Sequence, residues 1–152
     1  MIEYDELLLN AYRGEVVGAA MFGAMADVTS DDRRRERLQA LQRIEARTAA
    51  RLRDLVDAAG LDADAEGATR DGIQLAEGVG GDDWPAFLAA LRSALPPFLA
   101  KFERLRAIGV PDDRVLADLV AHERAVDRFA ELELEGRHIE ALDVLEAHLA
   151  AA

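Results

Sequence analysis

Apolar residues recur every three or four positions along four long segments of this 152-residue chain, and this spacing constrains its fold more than any other feature. Residues three or four apart share one face of an α-helix, so each segment presents an apolar stripe on one side. The chain is rich in Ala and Leu and has only four prolines, which favours helix over strand. We therefore expect an all-α fold, with residues 1–152 forming a single domain.

Interruptions in the apolar pattern indicate where the helices end. Gly60 and Gly136 each follow a periodic segment and are typical of the position just past a helix. Thr29 or Ser30 is the expected N-cap of the second helix, because a hydroxyl can accept a hydrogen bond from the first turn. Pro96-Pro97 should kink or break the third long helix, because neither proline has an N–H. The predicted helices cover about residues 4–26, 31–59, 83–108, 111–135 and 139–149.

The connection between the second and third long helices is much longer than the others. It is rich in glycine and lacks a sustained apolar stripe, although Thr69–Glu77 could form a short helix. Antiparallel neighbours need only short loops, so a connection of this length favours a crossover between two parallel helices. The fourth long helix should begin at Pro111-Asp112-Asp113, with proline in its first turn. We therefore expect a four-helix bundle with one long crossover and a short fifth helix.

The composition excludes several classes of function. The formal net charge of −12 argues against direct binding to nucleic acid or to an anionic membrane, because both require a cationic face. The chain has no cysteine, which excludes disulfides, thiolate metal sites and a cysteine nucleophile. No apolar run is long enough to span a membrane, and the acidic N-terminal segment is unlike a signal peptide. We therefore expect a cytoplasmic protein that binds neither nucleic acid nor membrane.

Three of the long helices carry a glutamate in the middle of an apolar stripe, namely Glu15, Glu45 and Glu123. A buried carboxylate is unfavourable unless it is paired or neutralised, so three of them indicate a site inside the bundle. Glu15 and Glu45 lie fifteen residues on either side of Ser30, which places both roughly 22 Å from the turn of an antiparallel pair. Glu123 lies thirteen residues beyond Val110, the expected turn of the second pair. All three should therefore meet near the middle of the bundle.

Two antiparallel helix pairs joined by a long crossover, with glutamates directed inward, resemble the ferritin-like superfamily of di-iron and di-manganese carboxylate proteins. In that superfamily two helices each supply a Glu, and the other two each supply a Glu-x-x-His motif. Glu15 matches the first of the single glutamates, whereas Glu45 and Glu123 match the glutamates of the two motifs. The resemblance covers the four long helices and implies a carboxylate metal site within a four-helix bundle.

The chain departs from that pattern at half of the six ligand positions. Thr48 and Val126 stand where the motifs have histidine, and residues 94–98 offer no carboxylate from the third helix. A complete di-iron centre is therefore not expected, and we predict that the protein has no cofactor. The open alternative is a single divalent ion, Fe²⁺, Mn²⁺ or Mg²⁺, held by three carboxylates and water. Without a metal, the acids would form a polar layer of partly protonated groups with raised pKa values.

Four further residues are candidates to surround the three glutamates. Tyr12 and Thr48 each share a helix face with one glutamate, and their hydroxyls could hydrogen-bond to a carboxylate. Asp127 lies one turn beyond the last glutamate and could approach the same region. His122 adjoins that glutamate but is about 100° away around the helix, so we expect it at a helix–helix boundary or in solvent. His148, in the fifth helix, is expected at the surface.

These features lead to one interpretation of function and one alternative. The first is a ferritin-like bundle with a degenerate carboxylate site and no established catalysis, which acts as a small binding or interaction protein. The alternative is a metal-dependent oxidoreductase of the di-iron or manganese carboxylate type with an incomplete ligand set. As partners we expect a second copy of the chain, because the first helix has more apolar surface than one face can use, or a small apolar ligand in a bundle cavity.

Overall fold

The structure is a computed structural model that describes residues 2–79, 83–109 and 114–151. Within these residues the chain forms six α-helices and no β-strand, which confirms the predicted all-α fold. The helices are α1 (Glu3–Val28), α2 (Asp32–Ala58), α3 (Ala65–Val79), α4 (Trp84–Ile108), α5 (Arg114–Leu134) and α6 (His138–Ala150). None of these six described helices is both long enough and apolar enough to cross a membrane.

Helices α1 and α2 form one antiparallel pair, and α4 and α5 form another. The apolar side chains show these directions, because opposite ends of paired helices pack together in two clusters. The first apolar cluster joins the end of α1 and start of α2 to the start of α4 and end of α5, and includes Phe22, Met25, Leu38, Leu41, Phe87, Leu88, Phe129 and Leu132. The second apolar cluster joins the opposite helix ends and includes Leu8, Ala11, Leu52, Val56, Phe102, Leu105, Leu116 and Leu119.

A polar layer separates the first apolar cluster from the second. Its members are Glu15, Glu45, Thr48, His122 and Glu123, all of them buried. Ile44 and Val126 on one side of the layer belong to the first cluster, whereas Ala49 and Val120 on the other side belong to the second. Burying a large apolar side chain contributes about 1.5–3 kcal/mol, so the two clusters together supply the energy that holds these polar groups away from water.

The N-terminus of α2 differs from the prediction by one or two residues. Asp31 caps this helix, and its carboxylate accepts a hydrogen bond from the N–H of Arg34 at 3.0 Å. Thr29, a predicted cap, instead ends α1, where its own N–H bonds to the carbonyl oxygen of Met25. The other predicted cap, Ser30, lies between the two helices, so the first turn of α2 begins later than the sequence suggested.

The two predicted glycine ends are confirmed, whereas the third long helix does not end at its prolines. Gly60 and Gly136 follow α2 and α5 with φ angles of 68° and 79°, a conformation that glycine adopts without strain. Helix α4 continues through Pro96 and Pro97, so the helix does not break there, and the alternative of a kink stays a prediction. The predicted start of the next helix, at residues 111–113, lies outside the described residues.

Helix α3 occupies the predicted crossover and is longer than the segment expected there. It packs along α1 through the small buried residues Gly67, Ala68 and Gly72. A Cβ atom on Gly72 would lie 2.4 Å from the carbonyl oxygen of Val17, so the close approach of the two helices requires glycine. The apolar residues of α1 that suggested a homodimer are half-buried within the single chain, namely Leu7, Leu9, Val16, Val17 and Met21. The homodimer therefore stays a prediction, but the exposed apolar surface on α1 that suggested it is partly covered within the single chain.

Helix α6 is the predicted short C-terminal helix, and it packs against α5 and α2. Arg47 of α2 donates hydrogen bonds to carbonyl oxygens near its end, to Leu149 at 2.8 Å and to His148 at 3.1 Å. Near its start, Arg37 of α2 donates a hydrogen bond to the carbonyl oxygen of His138 at 2.8 Å. Two arginines of α2 therefore hold the two ends of α6.

Candidate functional site

The polar layer brings the three predicted glutamates together around one histidine. Glu15 of α1, Glu45 of α2 and Glu123 of α5 surround the imidazole of His122, which is completely buried. Oε2 of Glu15 lies 3.5 Å from Nδ1 of His122, and Oε1 of Glu45 lies 3.5 Å from Nε2. Oε1 of Glu123 lies 3.8 Å from the same Nε2. The glutamates therefore meet at one depth in the bundle, as their distances from the turns predicted.

Thr48 orients the imidazole of His122. Its Oγ1 lies 3.0 Å from Nδ1 of His122, and both atoms are buried. Thr48 follows Glu45 by three residues, so it faces the layer from the position where the resembled motif has a histidine. When Nδ1 donates this hydrogen bond, Nε2 keeps its lone pair, which is then available to a proton or a metal ion.

The location of His122 contradicts the expectation of a helix boundary or solvent. That expectation assumed one apolar stripe on this helix, whereas α5 packs against α2, α4 and α6 and buries a wider arc. The ring of His148 on α6 lies 6.0 Å from that of His122 and its side chain is 9% exposed, so the predicted surface position of His148 is also wrong. A signal was present in the sequence, since His122 lies three residues after Leu119 and four before Val126, both buried.

The charges in the polar layer are unevenly distributed. Burial, reinforced by the charge of Glu45, raises the pKa of Glu15 well above its usual range. Burial also raises the pKa of Glu123 to about 7, although the positive charge of His122 acts in the opposite direction. At Glu45 burial is outweighed by the positive charge of His122 and by the polar groups of Glu15 and His122 close to its carboxylate, which together lower its pKa. The same attraction to Glu45 outweighs burial at His122 and raises its pKa, so these two residues form the ion pair.

The donor atoms of the layer fit a single metal ion. One ligand atom each from Glu15, His122 and Glu123 lies within 4.8 Å of the other two. Oε2 of Glu15, Nε2 of His122 and Oε2 of Glu123 are buried and have no hydrogen-bond partner among the described residues. Buried polar atoms in native proteins are nearly always paired, so three glutamate and histidine side chains that converge and each keep one unpaired buried atom indicate a cation site. Metal bonds to such atoms are about 2.0–2.2 Å long, which small side-chain rotations would permit.

Gly18 allows the carboxylate of Glu45 to reach the layer. A Cβ atom at position 18 would lie 2.9 Å from Cδ of Glu45 and 3.1 Å from each of its carboxylate oxygens. A larger residue would therefore push this carboxylate away from its present position, because the added atom would lie closer to it than van der Waals contact allows. The glycine fixes where the negative charge of Glu45 lies.

Tyr12 and Asp127, which were predicted to lie near the glutamates, have other partners. Tyr12 belongs to the second apolar cluster, and its hydroxyl accepts a hydrogen bond from Arg53 at 3.2 Å. The expected bond between this hydroxyl and a glutamate is not formed among the described residues. Asp127 is half-exposed and pairs with Arg92 at 3.0 Å. Neither residue therefore supplies an atom to the buried cluster.

A cavity and a surface groove both reach the polar layer. The cavity has a volume of about 240 Å³, and Glu15, Glu45 and Glu123 form part of its lining. The groove is more open, has a volume of about 550 Å³, and runs between α4 and α5 beside Asp127. Glu123 and Leu95 line both spaces. Glu123 therefore lies next to both the interior cavity and the groove at the surface.

A fourth buried carboxylate, that of Glu133, lies outside the site and has a structural role. Oε1 of Glu133 accepts a hydrogen bond from Trp84 at 3.2 Å, and Oε2 accepts one from Arg37 at 3.1 Å. Nδ1 of His138 lies 3.0 Å from the same Oε1, so the carboxylate joins α2, α4, α5 and α6. The sequence pattern did not reveal Glu133, because the neighbouring Leu134 continues the stripe equally well and yet is 41% exposed. Since both of its oxygens have donors, Glu133 is not a ligand-binding candidate.

Comparisons with models of protein families, with curated proteins and with solved structures gave no match to this chain. The likeness to the ferritin-like superfamily therefore stays a resemblance in arrangement. Functional inference rests on the geometry of the polar layer and of the two spaces that reach it.

Proposed function

We propose that the polar layer binds one divalent metal ion, and that the chain is a ferritin-like bundle whose metal site is reduced to that single ion. The observation that carries this proposal is the convergence of the buried side chains of Glu15, His122 and Glu123, each of which has one buried polar atom without a hydrogen-bond partner. A cation would neutralise the carboxylates and give each of these atoms a partner. The net charge of −12 supports the proposal, because it raises the concentration of cations near the protein.

The ligand types favour Mn²⁺ or Fe²⁺. Carboxylate oxygens suit hard ions such as Mg²⁺ and Mn²⁺, whereas imidazole nitrogen suits Fe²⁺ and other transition metals. A mixture of two carboxylates with one imidazole therefore favours ions that accept both kinds of ligand. The chain has no cysteine, so it lacks the soft thiolate ligands that select Cu⁺ and structural zinc.

Each residue of the layer has a distinct role in this proposal. His122 supplies Nε2, because the hydrogen bond to Thr48 occupies Nδ1. Glu15 and Glu123 each supply one carboxylate oxygen. Glu45, whose Oε1 lies 3.5 Å from Nε2, places a further negative charge beside the ion, and the proton that His122 releases on metal binding goes to solvent.

A single ion is proposed because α4 supplies no ligand. The residues of α4 that line the cavity above the layer are Leu91, Ala94, Leu95, Phe98 and Phe102, and none of their side chains can coordinate. A ferritin-like dimetal site takes a carboxylate from each of its four helices. The ferritin-like assignment is supported by the two antiparallel pairs and by the acids at mid-bundle, with α3 lying along the crossover.

Metal titration of chelator-treated protein tests the proposal. We expect calorimetry to give one equivalent of Mn²⁺ per chain, and elemental analysis after gel filtration to recover the same amount. Glu123→Gln and His122→Asn should each lower the affinity about tenfold or more. Glu36→Gln is the matched control, because Glu36 is exposed on the same helix as Glu45. Failure of the wild-type protein to bind Mn²⁺ or Fe²⁺, or equal binding by all variants, would contradict the proposal.

A metal-dependent oxidoreductase is the second candidate function. The observation that favours it is the cavity, which gives a small molecule access to the carboxylates at the proposed metal site. Oxygen consumption by the Fe²⁺-loaded protein is the corresponding assay, with His122→Asn as the comparison. A rate that matches free Fe²⁺ in both proteins would exclude this activity while leaving metal binding intact.

A further inference from the structure

The cavity beside the polar layer has apolar walls and an acidic floor. Its walls include Val17, Met21, Phe22, Leu91, Phe98 and Phe102. Its charged lining residues are Glu15, Glu45 and Glu123, and no lysine or arginine is present among the described residues around it. The space is therefore suited to a molecule that is apolar over most of its surface and positively charged at one end.

The mouth of the cavity is edged by two large apolar side chains that face solvent. Leu75 of α3 is 50% exposed and Phe98 of α4 is 44% exposed, and both line the cavity. Both edges are therefore apolar where a molecule would enter from solvent. Apolar surface in this position favours entry of an apolar group, whose burial removes both surfaces from water.

We propose that this cavity binds a small apolar amine, with the hydrocarbon part against α1 and α4 and the ammonium group on the carboxylates of Glu15 and Glu123. An ammonium group donates up to three hydrogen bonds, and Oε2 of each of these glutamates is buried and unpaired. A neutral hydrocarbon would leave the two oxygens without partners, and a carboxylate would add a further negative charge beside three acids.

The volume of the cavity limits the size of the ligand. Engineered cavities of about 150 Å³ hold a benzene molecule, so about 240 Å³ accommodates one ring with a short alkyl chain. The aromatic rings of Phe22, Phe98 and Phe102 supply faces for such a ring. The inference goes beyond metal binding and does not depend on it. Since both cations would use the same carboxylates, the amine and a metal ion should compete.

Calorimetry with 2-phenylethylamine as the probe tests this inference in chelator-treated protein. We expect one binding site per chain, with a Kd about tenfold or more below those of propylbenzene and 3-phenylpropionate. Glu123→Gln should weaken amine binding about tenfold and leave propylbenzene binding unchanged. Equal affinity for the amine and the neutral hydrocarbon would overturn the assignment of the ammonium group, as would the absence of amine binding.

Filling the cavity provides a second measurement. Gly14 lines the cavity, and no atom lies within 4 Å of a Cβ added there, so Gly14→Leu should fold and occupy the space. Gly78→Leu is the matched control, because Gly78 is an exposed helical glycine away from the cavity. If Gly14→Leu does not fold, Ala94→Leu at the same cavity replaces it. Amine binding that survives the filling variant would overturn the inference.

The outcomes for the amine and for the metal can be told apart. If the wild-type protein binds Mn²⁺ but not the amine, the proposal of an amine in the cavity is refuted and the metal proposal is not. Amine binding in a protein that binds neither Mn²⁺ nor Fe²⁺ would refute the metal proposal alone. If both bind, added Mn²⁺ should weaken the apparent affinity for the amine, because the two share Glu15 and Glu123. Independent binding of both would show that the amine does not use these carboxylates.

Discussion

Replacing Glu123 with glutamine should change how the stability of the metal-free protein depends on pH. Burial raises the pKa of Glu123 from 4.5 to about 7, so the folded protein binds this proton more tightly than the unfolded chain does. Its stabilising contribution is therefore fully present below pH 4.5 and is lost as the pH rises through 7. Since each unit of difference in pKa corresponds to roughly 1.4 kcal/mol, the loss is about 3 kcal/mol.

Urea unfolding in chelator-containing buffer measures this loss. Between about pH 5 and pH 8 the wild-type free energy of unfolding should fall by about 3 kcal/mol from Glu123, and Glu15 should add to the fall because its pKa is also raised. Glu123→Gln should show a smaller fall and should be more stable than wild type at the higher pH, since it buries no charge. Glu36→Gln, the exposed control, should follow the wild type. An identical pH dependence in wild type and Glu123→Gln would refute the reasoning.

Three further substitutions test the packing around the layer. Gly14→Ala should raise the free energy of unfolding by about 1 kcal/mol, because glycine is unfavourable inside α1 and the added Cβ meets no atom within 4 Å. Gly72→Ala should lower it by about 1–3 kcal/mol, because its Cβ would lie 2.4 Å from the carbonyl oxygen of Val17, and hydrogen exchange should show weaker protection of α3. Glu133→Ala should lower it by about 3 kcal/mol, since Arg37 would keep a buried charge without its partner. An unchanged urea midpoint in either destabilising variant would contradict the packing described.

The helices and the depth of the glutamates were predictable because both depend on spacing along the chain. Apolar residues spaced three or four apart locate the long helices, since the apolar face of a helix must be buried whichever helix packs against it. The equal distances of Glu15 and Glu45 from the turn place them at one level, because every helix rises by the same amount per residue. Because α1 and α2 are joined by a short turn, their antiparallel pairing could be assumed when the levels of Glu15 and Glu45 were compared.

Spacing along the chain, although it offered a signal for His122, could not settle the burial of His122 or Glu133, because that burial depends on which helices surround α5. A helix that packs on one neighbour buries a single stripe, whereas α5 packs on α2, α4 and α6 and buries both residues. The position of α6 depends on hydrogen bonds from Arg37 and Arg47 to backbone carbonyls. Since any residue supplies such a carbonyl, these contacts leave no pattern in the sequence. The length of α3 was underestimated for a related reason, because Gly72 marks close contact with α1 rather than irregular chain.

The contact between Gly18 and Glu45 should couple the residues allowed at two positions on different helices. A methyl group at position 18 would occupy the space of the Glu45 carboxylate, whereas a side chain shorter by one methylene at position 45 would leave room for it. Natural variants of this protein should therefore combine alanine at position 18 with aspartate at position 45 more often than either change alone. Such paired substitution would indicate that the carboxylate at position 45 must keep its place in the polar layer.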